Sequence, residues 1–107
     1  MNKVLLSPEA GKDLSQIKHY ISKELKNPDS AGKTVNEILK EIKTLKEFPK
    51  QGPSVQALTG FSTDLRILLC GNHIAVYKIE NGTVYISRIL EAKLDYLRVL
   101  FGDEYWE

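Results

Sequence analysis

Arg66, His73, Arg88, Glu91, Lys93 and Tyr96, with His19 further upstream, are the residues whose types suit chemistry. Together they match the demands of RNA cleavage by internal transfer: a base for the 2′-hydroxyl, an acid for the leaving oxygen, and cations for the charge building on phosphorus. A catalytic set of Arg66, His73, Arg88, Lys93 and Tyr96 is one reading. The other is structural: Tyr77 packs, His73 sits at a turn, and Arg88 pairs with an acid such as Asp95. Asn81-Gly82 between two β-rich runs marks a tight hairpin that places Glu80 opposite Thr83, Tyr77 opposite Ile86 and Ala75 opposite Arg88. His73, Ala75 and Tyr77 would then share a face with Ile86 and Arg88. Cys70 lacks a partner and reads as a small turn residue. No His/Cys/Asp/Glu spacing suits a metal, and no glycine-rich phosphate loop is present, so no cofactor is expected.

The elements that must position these residues follow from periodicity. Val4-Leu5-Leu6 reads as a short strand. Ser7-Pro8-Glu9 is a helix start with a capping hydroxyl, a proline in the first turn and a carboxylate at the positive dipole end. Ala10, Leu14, Ile17, Ile21 and Leu25 form one helical stripe, and Ala31, Val35, Ile38, Ile42 and Leu45 form a second, capped by Asn27 or Asp29. So short a connection folds the two back as an antiparallel hairpin. Residues 49–63 read as an exposed loop. Leu65–Leu69, Ile74–Ile79 and Thr83–Ile89 read as a three-stranded antiparallel meander, and Leu90–Phe101 as a C-terminal helix. The expected class is α+β, in the order β-α-α-β-β-β-α, with helices against one sheet face.

At 107 residues the chain suits one domain, spanning 1–107. An apolar share of 42% and a charged share of 27% are those of a folded soluble protein, and no apolar run approaches a membrane span or a signal-peptide core. A cytoplasmic location without membrane contact is expected. Fifteen Lys and Arg against fourteen Asp and Glu leave a formal charge of +1. Autonomous nucleic-acid binders draw affinity from a basic excess, which is missing here. The lysines of the second helix (Lys33, Lys40, Lys43 and Lys46) alternate with Glu37, Glu41 and Glu47, the pattern of a solvated face, with an RNA-contact surface as the alternative.

Several of these segments, in this order and spacing, resemble the RelE/ParE toxin superfamily. Ser7-Pro8-Glu9-Ala10, Asp13-Leu14, Ile17 and Tyr20-Ile21 are similar to its first helix, and Asn27-Pro28 with Ala31 to the entry of its second. Phe48-Pro49-x-x-Gly52, Gly60 with Leu65-Arg66, His73–Tyr77 and Ile86–Leu90 are similar to its helix exit and its later strands. The resemblance implies the toxin half of a type II toxin–antitoxin pair, a plasmid-stabilising or growth-inhibiting protein that a cognate antitoxin holds inactive. It reaches operator DNA only through that antitoxin. RelE-like members cut mRNA in the ribosome, whereas ParE-like members poison DNA gyrase. Nuclease members carry an Arg where this chain has Ile74, paired lysines where it reads Leu65-Arg66-Ile67, and often a His or Tyr where it has Glu91. The ParE-like branch therefore fits better, with mRNA cleavage and a non-toxic antitoxin binder as the alternatives. Ile17, Ile21, Tyr105 and Trp106 are the expected partner-binding residues.

Overall fold

The computed structural model describes residues 2–93 and 96–102. Strand β1 (Lys3–Leu6) leads into helix α1 (Pro8–His19), which starts where the Ser7 hydroxyl accepts the Ala10 N–H at 3.0 Å. One wide turn, Tyr20–Glu24, ends α1, and helix α2 (Pro28–Lys43) begins under the Asn27 side chain, which accepts the Ser30 N–H. The wide turn alters the helical phase, so Leu25 leaves the apolar stripe and lies exposed. A short helix α3 (Val55–Thr59) follows within the segment expected to be loop, capped by Ser54 and stopped by Gly60 at φ +77°. Its five residues are too few for periodicity to reveal. Strands β2 (Arg66–Cys70), β3 (His73–Glu80) and β4 (Thr83–Glu91) come next, then helix α4 (Tyr96–Phe101). Leu90, expected in that last helix, lies in β4. There it packs with Ile74 and Val76, which a helical spacing to Leu94 does not predict.

The sheet order is β1-β4-β3-β2. The meander is antiparallel as expected, but β1 runs parallel to β4, which makes the sheet mixed. The helical hairpin is the reason. It returns the chain to the end of the sheet where β1 starts, since the Asn2 N–H bonds the Lys46 carbonyl. Strand β2 then sets out in the direction of β1, and two hairpins later β4 does the same. The expected hairpin at Asn81 (φ +51°) and Gly82 (φ +76°) is present, with Glu80 opposite Thr83 and Tyr77 opposite Ile86.

Beyond Tyr77 the expected register fails. Ser87 is an extra residue in β4, so Arg88 lies opposite Val76, and Ala75 lies opposite Ile89. The Ser7 hydroxyl donates to the Ser87 carbonyl at 2.8 Å and draws β4 toward the start of α1. The bulge sends Ile89, not Arg88, after Ile86 into the main core, with Ala10, Ile38, Leu45, Ala75 and Tyr77. A second cluster of Ile74, Val76 and Leu90 lies under Leu65, Ile67 and Leu100. Both sheet faces are therefore covered in part, rather than one.

Candidate functional site

The second half of helix α1 stands against the start of β3 and the end of β4. Between them opens a cleft of about 460 Å³. Ile17 of α1, Ile21 of the wide turn that follows it, and Ile89 and Leu90 of β4 give it apolar walls, while Gln16, Tyr20, His73 and Glu91 line its polar part. Tyr20 is 53% exposed. A second hollow of about 400 Å³, lined by Gly71, Asn72, Ala92 and Lys93, shares His73 and Glu91 with the first. The Ala92 N–H bonds the Asn72 carbonyl at 2.9 Å and fixes the wall between turn and strand end.

Asp13 closes one side of this cleft. Its carboxylate, buried at the foot of α1, accepts Arg88 Nε at 2.8 Å, a second Arg88 guanidinium nitrogen at 3.0 Å and the Ile89 backbone N–H at 2.9 Å. This two-pronged geometry ties α1 to the bulge of β4. The hydrogen bond to Asp13 raises the Arg88 pKa further, burial opposes it, and the charges of Asp13 and Glu9 add to the rise. Arg88 thus has an acid partner, but it is Asp13, not Asp95, which lies outside the described residues.

The five residues of the nuclease reading do not converge. His73 and Arg88 line the main cleft, and Lys93 lies exposed in the adjoining hollow. Arg66 is elsewhere: its Nε donates to the Gly52 carbonyl at 2.7 Å and a terminal nitrogen donates to the Lys50 carbonyl at 3.0 Å. There it fastens the 49–52 loop together with Tyr77, whose hydroxyl donates to the Pro49 carbonyl and accepts the Gly52 N–H. Gly52 is required at this spot, because a Cβ would overlap the Ile67 carbonyl and the Tyr77 hydroxyl. Tyr96 opens α4, though its side chain, like Tyr105 and Trp106, falls outside the described residues, and His19 lies exposed at the far end of α1.

His73 lies opposite Glu91 across β3 and β4. Burial lowers its pKa below the ordinary 6.5, and the nearby Glu91 charge opposes that shift. The Cys70 thiol is pushed up to about 11, chiefly by burial, then by the Glu41 charge, with the Ala75 backbone hydrogen bond opposing. A buried thiol so hard to ionise is a poor nucleophile. Among the described residues no three His, Cys, Asp or Glu side chains converge as a metal site, and no helix is long and apolar enough to cross a membrane.

Of the expected partner-binding residues, Ile17 and Ile21 are in the cleft, both half-buried. Gln16, Tyr20 and Asp13 were not expected there. Asp13 carried a signal all the same: it is a carboxylate four residues before Ile17, on the apolar side of α1.

The family model described as ParE toxin of type II toxin-antitoxin system, parDE, matches residues 4–96. A solved structure titled "Chromosomal ParDE TA system from P. aeruginosa" has a similar fold, with a TM-score of 0.72 and 24% identity, covering 87% of this chain and 98% of that one. No curated protein sequence matches. With the family model spanning both helices, the full sheet and the cleft between them, the chain belongs to the ParE toxin family of type II toxin–antitoxin systems.

Proposed function

We propose that this ParE-family chain inhibits growth by acting on DNA gyrase, and that its antitoxin silences it by seating an apolar helix or extended segment in the cleft beside α1. The observation that carries this reading is the commitment of the arginines. Arg66 holds loop carbonyls and Arg88 holds Asp13, so neither stands ready for a scissile phosphate. What remains is a cleft with isoleucine walls and a rim of Gln16, Tyr20, His73 and Glu91, a surface suited to protein. Half-buried Ile17 and Ile21 are its apolar anchors, with Tyr20 beside them. The formal charge of +1 agrees with a protein target rather than a phosphate backbone.

The test is a supercoiling assay with the purified chain. Gyrase loses activity or accumulates cleaved DNA as toxin is added, and equimolar antitoxin reverses the effect. Unaltered gyrase at large toxin excess overturns the target. Transcripts cut within translated frames during expression would return the RelE-like alternative, and harmless expression without antitoxin would favour a non-toxic binder.

A further inference from the structure

The charges that line the cleft beside α1 restrict what can sit in it. Near neutral pH four of its side chains could bear charge: Asp13, His73, Arg88 and Glu91. Asp13 and Arg88 cancel each other, since the carboxylate holds the guanidinium through hydrogen bonds at 2.8 and 3.0 Å. His73 adds no charge at neutral pH, because burial holds its pKa below the ordinary 6.5. Glu91 is left over. It lies exposed at the end of β4, opposite His73, and among the described residues it enters no ion pair. Lys93, two positions on, lines the adjoining hollow rather than the main cleft and does not close on Glu91. The main cleft therefore offers isoleucine walls with a single uncompensated carboxylate at the rim.

That carboxylate is at ease while water reaches it. An occupant that fills the apolar part of the cleft removes this water, and a carboxylate stripped of water without a partner is strongly unfavourable. An occupant that brings its own cation avoids the loss. We propose that the antitoxin segment seated in the cleft carries a lysine or arginine that pairs with Glu91, together with apolar side chains that meet Ile17 and Ile21. This rests on the reading of the cleft as the antitoxin seat. The same carboxylate repels a phosphate backbone and penalises an acidic or wholly apolar segment, so Glu91 selects among partners as well as holding one. A rim charge of this kind acts most on the speed of capture, because opposite charges steer the encounter.

The probe is the cognate antitoxin, co-expressed with this chain and then separated from it. Affinity and association rate are read by surface plasmon resonance at low and at high salt. Glu91→Gln is expected to slow association about fivefold, and Glu91→Lys to weaken affinity roughly tenfold or more at low salt. Both losses shrink as salt rises, because screening weakens the pair. Circular dichroism and the melting temperature should hold in both variants, since Glu91 stands exposed at a strand end. Changing the paired antitoxin residue to glutamate should weaken binding to the wild-type chain and restore binding to Glu91→Lys. A merely structural Glu91 would not produce that exchange. Unchanged affinity of Glu91→Lys at low salt overturns the proposal, and so does tighter binding, which would place an acidic residue there instead. Ile17→Asp separates the two readings. If it loses affinity while Glu91→Lys does not, the antitoxin keeps its seat and the cation is wrong. If both variants bind fully, the cleft itself is not the seat.

Discussion

Asp13 and Arg88 lie 75 positions apart in sequence and form a two-pronged ion pair that, with the Ile89 N–H on the same carboxylate, joins the first helix to the last strand. Removing one partner of such a pair leaves the other short of bonds in a poorly hydrated place. A fully buried pair broken this way costs about 3–5 kcal/mol, and the 32% exposure of the Arg88 side chain discounts that to about 2 kcal/mol. Arg88→Ala is therefore expected to lower the melting temperature by about 8–16 °C for a domain of this size. Asp13→Asn with Arg88→Met should recover much of the loss, because neither charge is left unpaired. Scanning calorimetry of wild type and these two variants checks this, and an Arg88→Ala melting curve matching wild type would show the pair to be idle. The same point bears on toxicity: loss of activity in Arg88→Ala has a folding cause before it has a catalytic one. His73 is the second residue with a measurable signature. Its folded-state pKa lies below the ordinary 6.5, so the folded chain binds protons less readily than the unfolded one. The stability this confers is complete above about pH 6.5 and falls as the pH drops below it, levelling off once the folded-state pKa is passed. His73→Gln should flatten that part of the stability curve, measured by urea unfolding at pH 5 to 8. An unchanged slope would place the titration elsewhere. At this scale the sequence was informative about side-chain type and poor about partners. That Arg88 takes an acid was legible, but which acid depends on the Ser87 bulge, and the bulge depends on a Ser7 contact 80 positions away.

At the scale of elements, periodicity did most of the work, and it failed where periodicity itself breaks. The two helical stripes, the caps at Ser7 and Asn27 and the Asn81-Gly82 hairpin were all readable, because each is a local choice with a local cause. Leu25 leaves its helical stripe because a wide turn shifts the phase after Tyr20, and Leu90 departs from helical spacing because its apolar neighbours are Ile74 and Val76 in the sheet. The parallel pairing of β1 with β4 is set by where α2 delivers the chain, which no single strand encodes. Helix α1 is the element on which the proposed function depends most. Ile17 in its second half and Ile21 in the wide turn after it remain only half-buried, Ile17 with one side against the main core. An aspartate at either position spoils the apolar seat, with circular dichroism separating that from any loss of fold at Ile17. We expect Ile17→Asp and Ile21→Asp each to weaken antitoxin binding at least 30-fold, the loss that matches about 2 kcal/mol at an interface anchor. Calorimetric titration with purified antitoxin measures it, alongside circular dichroism to confirm the fold. Full affinity in both variants would move the antitoxin off this cleft.

For the molecule as a whole, charge distinguishes a DNA-binding toxin from one that needs its partner to reach an operator. A protein that neutralises several phosphates shows a steep fall of affinity with salt, with a log–log slope of about −0.9 per phosphate contacted. Here fifteen basic residues stand against fourteen acidic ones. Arg66 and Arg88 are turned inward to carbonyls and to Asp13, and the lysines of α2 (Lys33, Lys40 and Lys43) share their helix with Glu37 and Glu41. Neither arginine is thus presented to a phosphate backbone, and the chain as a whole carries almost no basic excess. The isolated chain is therefore expected to leave operator DNA unshifted in a gel at micromolar concentration and 150 mM salt, conditions in which weak non-specific binders already reach dissociation constants of about 10⁻⁴–10⁻⁶ M. Added antitoxin should produce the shifted band, and the toxin should enter that band through the cleft, so that Ile17→Asp is missing from it while wild type is retained. A salt-sensitive shift by the toxin alone would contradict the charge argument, and with it the reading of this cleft as a protein seat rather than a nucleic-acid groove.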